Sequence, residues 1–181
     1  MLLIDTASAA PSMLLSVQDL PTGFTQVPAS DVEGCQPQGD HGELAAFVLR
    51  ENVTLSESIC ISVFLLTEQA ANESQAALMR QMVDTVLDHP QAMIEQTGAQ
   101  KAIDVNVLSP LPSVGDKVAG FTKQDESQRH ETLLFRRGDF VASVAIHYKD
   151  GTFPAASLEA IATNLDERIR QLAPVAQPPT S

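Results

Sequence analysis

The stretch that decides the fold is TLLFRRGDFVASVAIHY, residues 132–148. It joins two predicted strands, 130–137 and 139–148, through the tripeptide Arg-Gly-Asp at 137–139. Runs rich in β-branched and aromatic residues are typical of strands, and Gly-Asp favours a tight turn between antiparallel neighbours. Apolar residues lie on both faces of the second strand, so we predict a central strand that other layers cover on both sides.

Further strands are predicted upstream of this hairpin. They are runs of similar composition at 44–51, 58–66, 101–108 and 117–124, with a shorter extended stretch at 25–28. The polar segment 52–57 separates the first two of these strands, which indicates a second hairpin. Because hairpins dominate the order of strands, the sheet is expected to be largely antiparallel.

Two helices are predicted from their caps and their apolar periodicity. Asn72 and Gln75 have the spacing of a capping box, no Pro or Gly follows until Pro90, and a short continuation runs to Gly98. The last helix runs from the natural N-cap Ser157 to about residue 172. The first helix has an apolar stripe of Ala76, Met79, Met82, Val83, Val86 and Leu87.

Helices on a largely antiparallel sheet give an α+β fold, which we expect to be an α/β/α sandwich. In the last helix, Asp166 is predicted to lie mostly outside the buried stripe. A single α+β domain is predicted over 12–173. It is followed by a proline-rich tail at 174–181.

The composition of the chain restricts its partners. Its 181 residues carry a formal net charge of −12, from 11 basic and 23 acidic side chains. Nucleic acids and anionic lipid surfaces bind clustered Lys and Arg, and the sequence contains no basic stripe. No apolar run approaches the roughly 18 residues that a membrane span needs. We therefore predict no nucleic-acid binding and no integral membrane segment.

The N-terminal residues bear on the cellular compartment. Ala7-Ser8-Ala9 matches the small-residue pattern of a signal-peptide cleavage site, but the basic and apolar regions that precede such a site are missing. Residues 1–11 are therefore either a disordered tail or the remnant of a signal peptide. A longer precursor would place the protein outside the cytoplasm, in the periplasm or thylakoid lumen; otherwise it is cytoplasmic.

The two cysteines, Cys35 and Cys60, allow one disulfide. In the chain-entropy model a bond closing this loop contributes roughly 3–4 kcal/mol to stability. It is expected only if the protein is exported; the alternative is two free thiols, with Cys60 as a small buried hydrophobe. Neither cysteine has the spacing of a zinc site, so no structural metal is predicted.

No catalytic motif is recognisable, so we predict a non-enzymatic protein without catalytic residues, metal or cofactor. The histidines are weak candidates. His41 lies in the acidic, Gly-rich loop 39–43, where a metal site is less common than a solvated loop. His147 ends a strand and could carry a proton. His89 follows a helix end, and His130 lies in a charged turn.

Other short patterns also have simpler structural explanations. The tripeptide 137–139 matches a cell-adhesion motif, but a turn between strands explains it equally well. Asn72 and Asn52 begin glycosylation sequons, and Asn72 is better used as a helix cap. A soft binding groove is one hypothesis for three methionines that helical spacing otherwise assigns to the core: Met79, Met82 and Met93.

Several segments resemble a family of exported or lumenal proteins of oxygenic photosynthetic bacteria. They are MLLSVQDLPTGFTQVP, AAFVL, CISVFLL, HPQAMIEQ, DKVAGFT, LLFRRGDFVASVAIHY and SLEAIATNLDERI, and they span about residues 13–172. The closing strand, turn, strand and helix resemble those of extracytoplasmic α/β/α sandwiches, including domains similar to the PsbP subunit of photosystem II. The resemblance implies a fold and a compartment, but no established activity and no catalytic residues.

Three functional hypotheses follow. The first is a binding or assembly module outside the cytoplasm, which contacts a protein partner or a membrane complex through a sheet face or the loop 29–43. The second is a small-molecule binder or an unrecognised enzyme with an apolar pocket between sheet and helix. The third is a cytosolic protein with two reduced thiols. The sequence does not distinguish oligomeric states.

Overall fold

The computed structural model describes residues 12–36, 42–51, 54–91, 94 and 104–172. Seven strands form one antiparallel sheet in the order β1-β2-β3-β7-β6-β5-β4. The strands are β1 (Phe24–Val27), β2 (Glu43–Glu51), β3 (Thr54–Leu65), β4 (Asp104–Val107), β5 (Lys117–Gln124), β6 (Gln128–Arg137) and β7 (Phe140–Lys149). The helices are α1 (Leu66–Gln69), α2 (Glu73–Asp88) and α3 (Leu158–Leu172). The prediction of an α+β fold with a largely antiparallel sheet is confirmed.

The predicted hairpin of residues 132–148 lies at the centre of this sheet. β7 pairs with β6 on one side and with β3 on the other. Its turn contains Gly138 at φ 58°, a left-handed conformation that glycine adopts without steric cost. Both faces of β7 are largely buried, as expected for a strand that other layers cover twice.

The two long helices lie on opposite faces of the sheet. The α3 face is the face that carries Arg137 and most of the apolar core, and the α2 face is the one that carries Arg136. Opposite faces are required because successive residues of a strand point in opposite directions. The largest fully buried side chains of the core on the α3 face are Phe47, Phe135, Ile59, Ile61, Leu133, Ile146, Leu165 and Ile169.

Arg136 and Arg137, adjacent in β6, attach one helix each. Arg137 donates two hydrogen bonds to Asp166 of α3, with Nε–Oδ1 at 2.8 Å and Nη2–Oδ2 at 2.6 Å. Arg136 makes an equivalent pair with Asp84 of α2, at 2.6 and 3.0 Å. This pairing, chiefly the hydrogen bond from Arg136, holds the pKa of Asp84 below its ordinary value. Asp116 lies between the two guanidinium groups, at 3.5 and 3.2 Å.

The Arg-Gly-Asp tripeptide is engaged within the protein. Arg137 pairs with Asp166, and Asp139 pairs with Arg80 of α2. The backbone N–H of Gly138 donates to Asp116 Oδ2 at 2.7 Å. These contacts use the same groups that an adhesion receptor would have to bind, so the turn explains the tripeptide.

The prediction for Asp166 was wrong. The residue is only 6% exposed and belongs to the buried side of α3. A helical periodicity search counts a carboxylate as polar and assigns it to the solvent side. Here the opposite charge of Arg137 and two hydrogen bonds make its burial tolerable.

The apolar stripe of α2 is narrower than predicted. Ala76 and Leu87 are buried, but Met82 and Val86 are 60% and 39% exposed. At 3.6 residues per turn, Met82 and Val86 lie about 120° and 80° around the helix from Ala76, outside the side that meets the sheet.

Asn72 caps α2 as predicted, accepting from the Gln75 N–H at 2.9 Å. The expected continuation to Gly98 lies outside the described residues except for 90, 91 and 94.

The second hairpin also differs in detail. β3 begins at Thr54 rather than at residue 58, so residues 54–57 of the polar segment that was expected to connect the strands belong to β3. The register shifts between Leu49 and Arg50, and this β-bulge accommodates the additional residue of β3, Ser56.

Ser157 caps α3 as predicted, accepting from the Ala160 N–H at 3.3 Å.

A disulfide joins Cys35 to Cys60, with 5.5 Å between the Cα atoms. It fastens the segment after the 3₁₀ turn Ala29–Asp31 to β3 on the α2 face. Around it lies a second, small core. The members of this core include Val32, Ala46 and Val48.

None of the helices in the described parts of the chain has the length and apolar character needed to cross a bilayer. The predicted tails at 1–11 and 174–181, and the predicted extent of the domain between them, are not tested because both ends lie outside the described residues.

Arg137→Ala should reduce the free energy of unfolding by about 3 kcal/mol, because it leaves the carboxylate of Asp166 buried without its partner. The double variant with Asp166→Ala should be more stable than Arg137→Ala alone. Arg80→Ala serves as a control with solvent-exposed ion pairs and should cost much less. Urea denaturation measures all three; equal losses for Arg137→Ala and Arg80→Ala would contradict this account.

Replacing Cys35 and Cys60 by alanine should lower the free energy of unfolding by about 3–4 kcal/mol, because the unfolded chain gains the entropy of the open loop. Thermal unfolding with and without a reductant provides the measurement. The reductant should lower the melting temperature of the native protein and leave that of the double variant unchanged. An unchanged native protein would refute the structural role of the disulfide.

Candidate functional site

A groove of about 510 Å³ opens on the α3 face, between the sheet and the start of α3. One wall is the segment 108–112, which follows the edge strand β4. The other wall is the segment 153–159, which leads into α3. Glu131 of β6 also lines the groove. Its volume falls in the range of natural ligand pockets, roughly 300–1,000 Å³.

Glu57 holds the second wall in place. Its carboxylate accepts hydrogen bonds from the backbone N–H groups of Ala155 at 2.6 Å and Ala156 at 3.1 Å. Glu57 is only 3% exposed, and burial raises the pKa of its carboxyl group. A buried acid on β3 therefore fixes the backbone immediately before α3, and this fixes the position of the groove wall.

Tyr148 and Glu131 form a hydrogen bond on the sheet side of the groove. The Tyr148 hydroxyl donates to Glu131 Oε1 at 2.6 Å. Burial raises the pKa of Tyr148 far above its ordinary value, and Glu131 raises it further. The hydroxyl therefore stays protonated at neutral pH and holds the Glu131 carboxylate in position.

Large apolar side chains around the groove face solvent. Phe153 is 98% exposed, although a phenylalanine gains about 1.5–3 kcal/mol when it is buried. Leu111, between Pro110 and Pro112 of the opposite wall, is 40% exposed. Exposed apolar side chains that cluster at a concave surface are characteristic of interaction sites. The groove thus combines an apolar rim with a positioned carboxylate.

The structure brings together two of the histidines that the sequence left apart. His130 of β6 lies opposite His147 of β7 on the α2 face, with 4.3 Å between the ring centroids and 58° between the ring planes. Burial is the main cause of a lowered pKa for both rings, and for His147 the pKa falls to about 4. The positive charges of His130 and Lys123 reinforce this effect at His147.

The histidine pair borders a smaller cavity of about 370 Å³. His147 lines this cavity. Gly34 lies close to the His147 ring: a side chain at this position would place its Cβ 3.9 Å from the ring. Asp125 Oδ2 lies 3.0 Å from His130 Nε2, although this contact does not have the geometry of a hydrogen bond. The described residues contain no group of three metal-binding side chains, so the pair amounts to two ligands at most.

Other sequence candidates lie elsewhere. His89 caps the C-terminal end of α2, with Nδ1 2.9 Å from the Thr85 carbonyl oxygen. His41 and the loop around it lie outside the described residues, and so does Met93. Met79 is half-buried and Met82 faces solvent. Because Met93 is not described, the methionine groove stays a hypothesis.

Sequence analysis missed the groove residues, although it could have found the histidine pair. Arg137 pairs with Phe140 next to the turn of the hairpin. His130 precedes Arg137 by as many residues as His147 follows Phe140, so the two histidines lie opposite each other. Glu57 gave no comparable indication, because its hydrogen-bond partners are about 100 residues away in the chain. For Phe153, the only indication was an aromatic residue between Gly151-Thr152 and Pro154.

A second cleft of about 520 Å³ lies between the segment 12–16 and the C-terminal end of α3. Its lining includes Ser12 and Leu172, the first and last residues that the structure describes. A scan against protein-family models gives no match, and a search of curated proteins finds no significant similarity. The resemblance to PsbP-like proteins therefore stays a hypothesis.

His147 should make the protein less stable in mild acid. Its folded-state pKa of about 4 lies below that of an unfolded histidine, so the unfolded chain binds more protons between pH 4 and 6.5. The free energy of unfolding should therefore fall by about 2–3 kcal/mol as the pH decreases across this range. Denaturation from pH 7 to 4 should show a smaller decrease in His147→Gln. Identical profiles for the native protein and His147→Gln would contradict this assignment.

Proposed function

We propose that this protein is a non-enzymatic binding module that acts outside the cytoplasm and docks a protein partner, or a protein of a membrane complex, in the groove beside α3. The observation that carries this proposal is the full exposure of Phe153 on the rim of a preformed cavity. An aromatic residue in such a position adds much binding energy when a partner covers it.

The construction of the groove supports binding rather than catalysis. The Glu57 carboxylate is occupied by two backbone N–H groups, and one oxygen of Glu131 accepts from Tyr148. A nucleophilic mechanism needs a side chain that a neighbouring base or a lowered pKa activates. Among the residues that the structure describes, the side chains that line the groove include no Cys, Lys or His. Its rim is preorganised because Glu57 fixes the backbone before α3.

The disulfide supports the extracytoplasmic part of the proposal. Disulfides persist in oxidising compartments such as the periplasm and are rare in the cytosol. Cys35 and Cys60 lie in bonding geometry and join a surface segment to the sheet. A net charge of −12 fits the absence of nucleic acid from the proposed partners.

A small molecule is the second candidate occupant of the groove, either as a ligand or as the substrate of an unrecognised enzyme. The volume of about 510 Å³ and the position between sheet and helix favour it. Native mass spectrometry of the protein purified from its source would distinguish the two functions. A bound small molecule that survives desalting would favour this second function over a protein partner.

Phe153→Ser should weaken partner binding about tenfold to a hundredfold and leave stability unchanged, because the side chain contacts the partner rather than the core. Chemical cross-linking in an extract of the source cells, followed by gel and mass analysis, provides the measurement. Met82→Ser on the α2 face is the matched control, since Met82 is also exposed. The adduct should disappear with Phe153→Ser and persist with Met82→Ser. An adduct that survives in both variants would place the partner elsewhere.

A further inference from the structure

The groove carries negative charge next to apolar side chains. Several acidic side chains elsewhere in the described residues have basic partners: Asp84 pairs with Arg136, Asp166 with Arg137, and Asp88 with Lys117 at 2.6 Å. The described part of its lining includes two carboxylates, Glu131 and Glu159, and no basic group.

Neither carboxylate forms an ion pair among the described residues. Glu131 accepts only the neutral Tyr148 hydroxyl, and Glu159 is exposed in the first turn of α3. Arg129, two residues before Glu131, is directed to Asp150 at 3.5 Å and to Gln124 at 3.2 Å. The buried carboxyl group of Glu57 lies behind the same wall, and Glu131 raises its pKa through charge repulsion. The groove is therefore a site of negative potential without its own counter-charge.

Apolar side chains line the same groove as these two carboxylates. Leu108, Pro110 and Pro112 line one side, and Phe153, Pro154 and Leu158 line the other. An occupant that satisfies both the apolar walls and the carboxylates must itself be apolar and cationic. Basic side chains in proteins meet this requirement, because Lys and Arg carry an apolar stem below a charged end.

We propose that the occupant of the groove is an extended peptide segment of another protein, in which Lys or Arg alternates with proline or large apolar residues. This inference rests on the proposed function of the groove and adds the chemistry of its partner. The apolar residues contact Phe153 and the prolines, and the basic residues pair with Glu131 and Glu159. Surface prolines and an exposed aromatic ring provide the type of surface on which extended peptides dock.

A peptide-display selection tests this inference. Random nonapeptides are selected on the intact protein and counter-selected on Phe153→Ser, which removes peptides that bind other surfaces. Dissociation constants of the most enriched peptide are then measured by fluorescence polarisation. The variants are Glu131→Gln/Glu159→Gln and the control Glu68→Gln/Glu167→Gln, which makes the same change in net charge at exposed positions elsewhere. Glu131→Gln retains an oxygen that can accept the Tyr148 hydrogen bond.

The expected result is enrichment of Lys or Arg next to proline or apolar residues. The affinity for the enriched peptide should fall roughly fivefold to tenfold in Glu131→Gln/Glu159→Gln and stay within twofold in the control pair. Enriched peptides that depend on Phe153 but are neutral or acidic would overturn this inference and leave the binding function standing. A selection without any Phe153-dependent peptide would overturn both.

Discussion

The architecture depends on two neighbouring arginines in one strand. Because side chains alternate along β6, Arg136 and Arg137 must point to opposite faces, and each finds a carboxylate on a different helix. Asp116 and the backbone of Gly138 complete the arrangement at the turn. A buried ion pair adds little net stability compared with an apolar contact, but a missing partner is costly. The double arginine therefore selects which helix covers which face of the sheet.

The proposed binding site follows from this arrangement. Arg137 fixes the body of α3 through Asp166, and Glu57 fixes the backbone immediately before the helix. The segment with Phe153 lies next to these attachments, so its rim position is determined by the core rather than by a free loop. The opposite face carries the disulfide and the half-buried histidine pair. The protein thus separates a preorganised groove on one face from the disulfide and the histidine pair on the other.

The elements of the fold could be predicted from the sequence because their patterns are local. The turn at Gly138, the Asn72 cap and the alternation along β7 each depend on a few neighbouring residues. Asp166 could not be assigned in this way, because its burial requires an arginine 29 residues earlier. Glu57 posed the same problem over a larger distance. The groove combines segments that are far apart in the chain, so its residues became recognisable only after the strands and helices were placed.

The most direct test of the central claim, that the groove beside α3 is the binding site, is to map a bound peptide by NMR. Amide spectra of the ¹⁵N-labelled protein would be recorded during titration with the tightest peptide selected for Phe153-dependent binding. We expect the largest shift changes in the segments 108–112 and 153–159 and at Glu131, with little change at His147 or around the disulfide. Changes centred on the α2 face, or on the cleft at the C-terminal end of α3, would contradict this account.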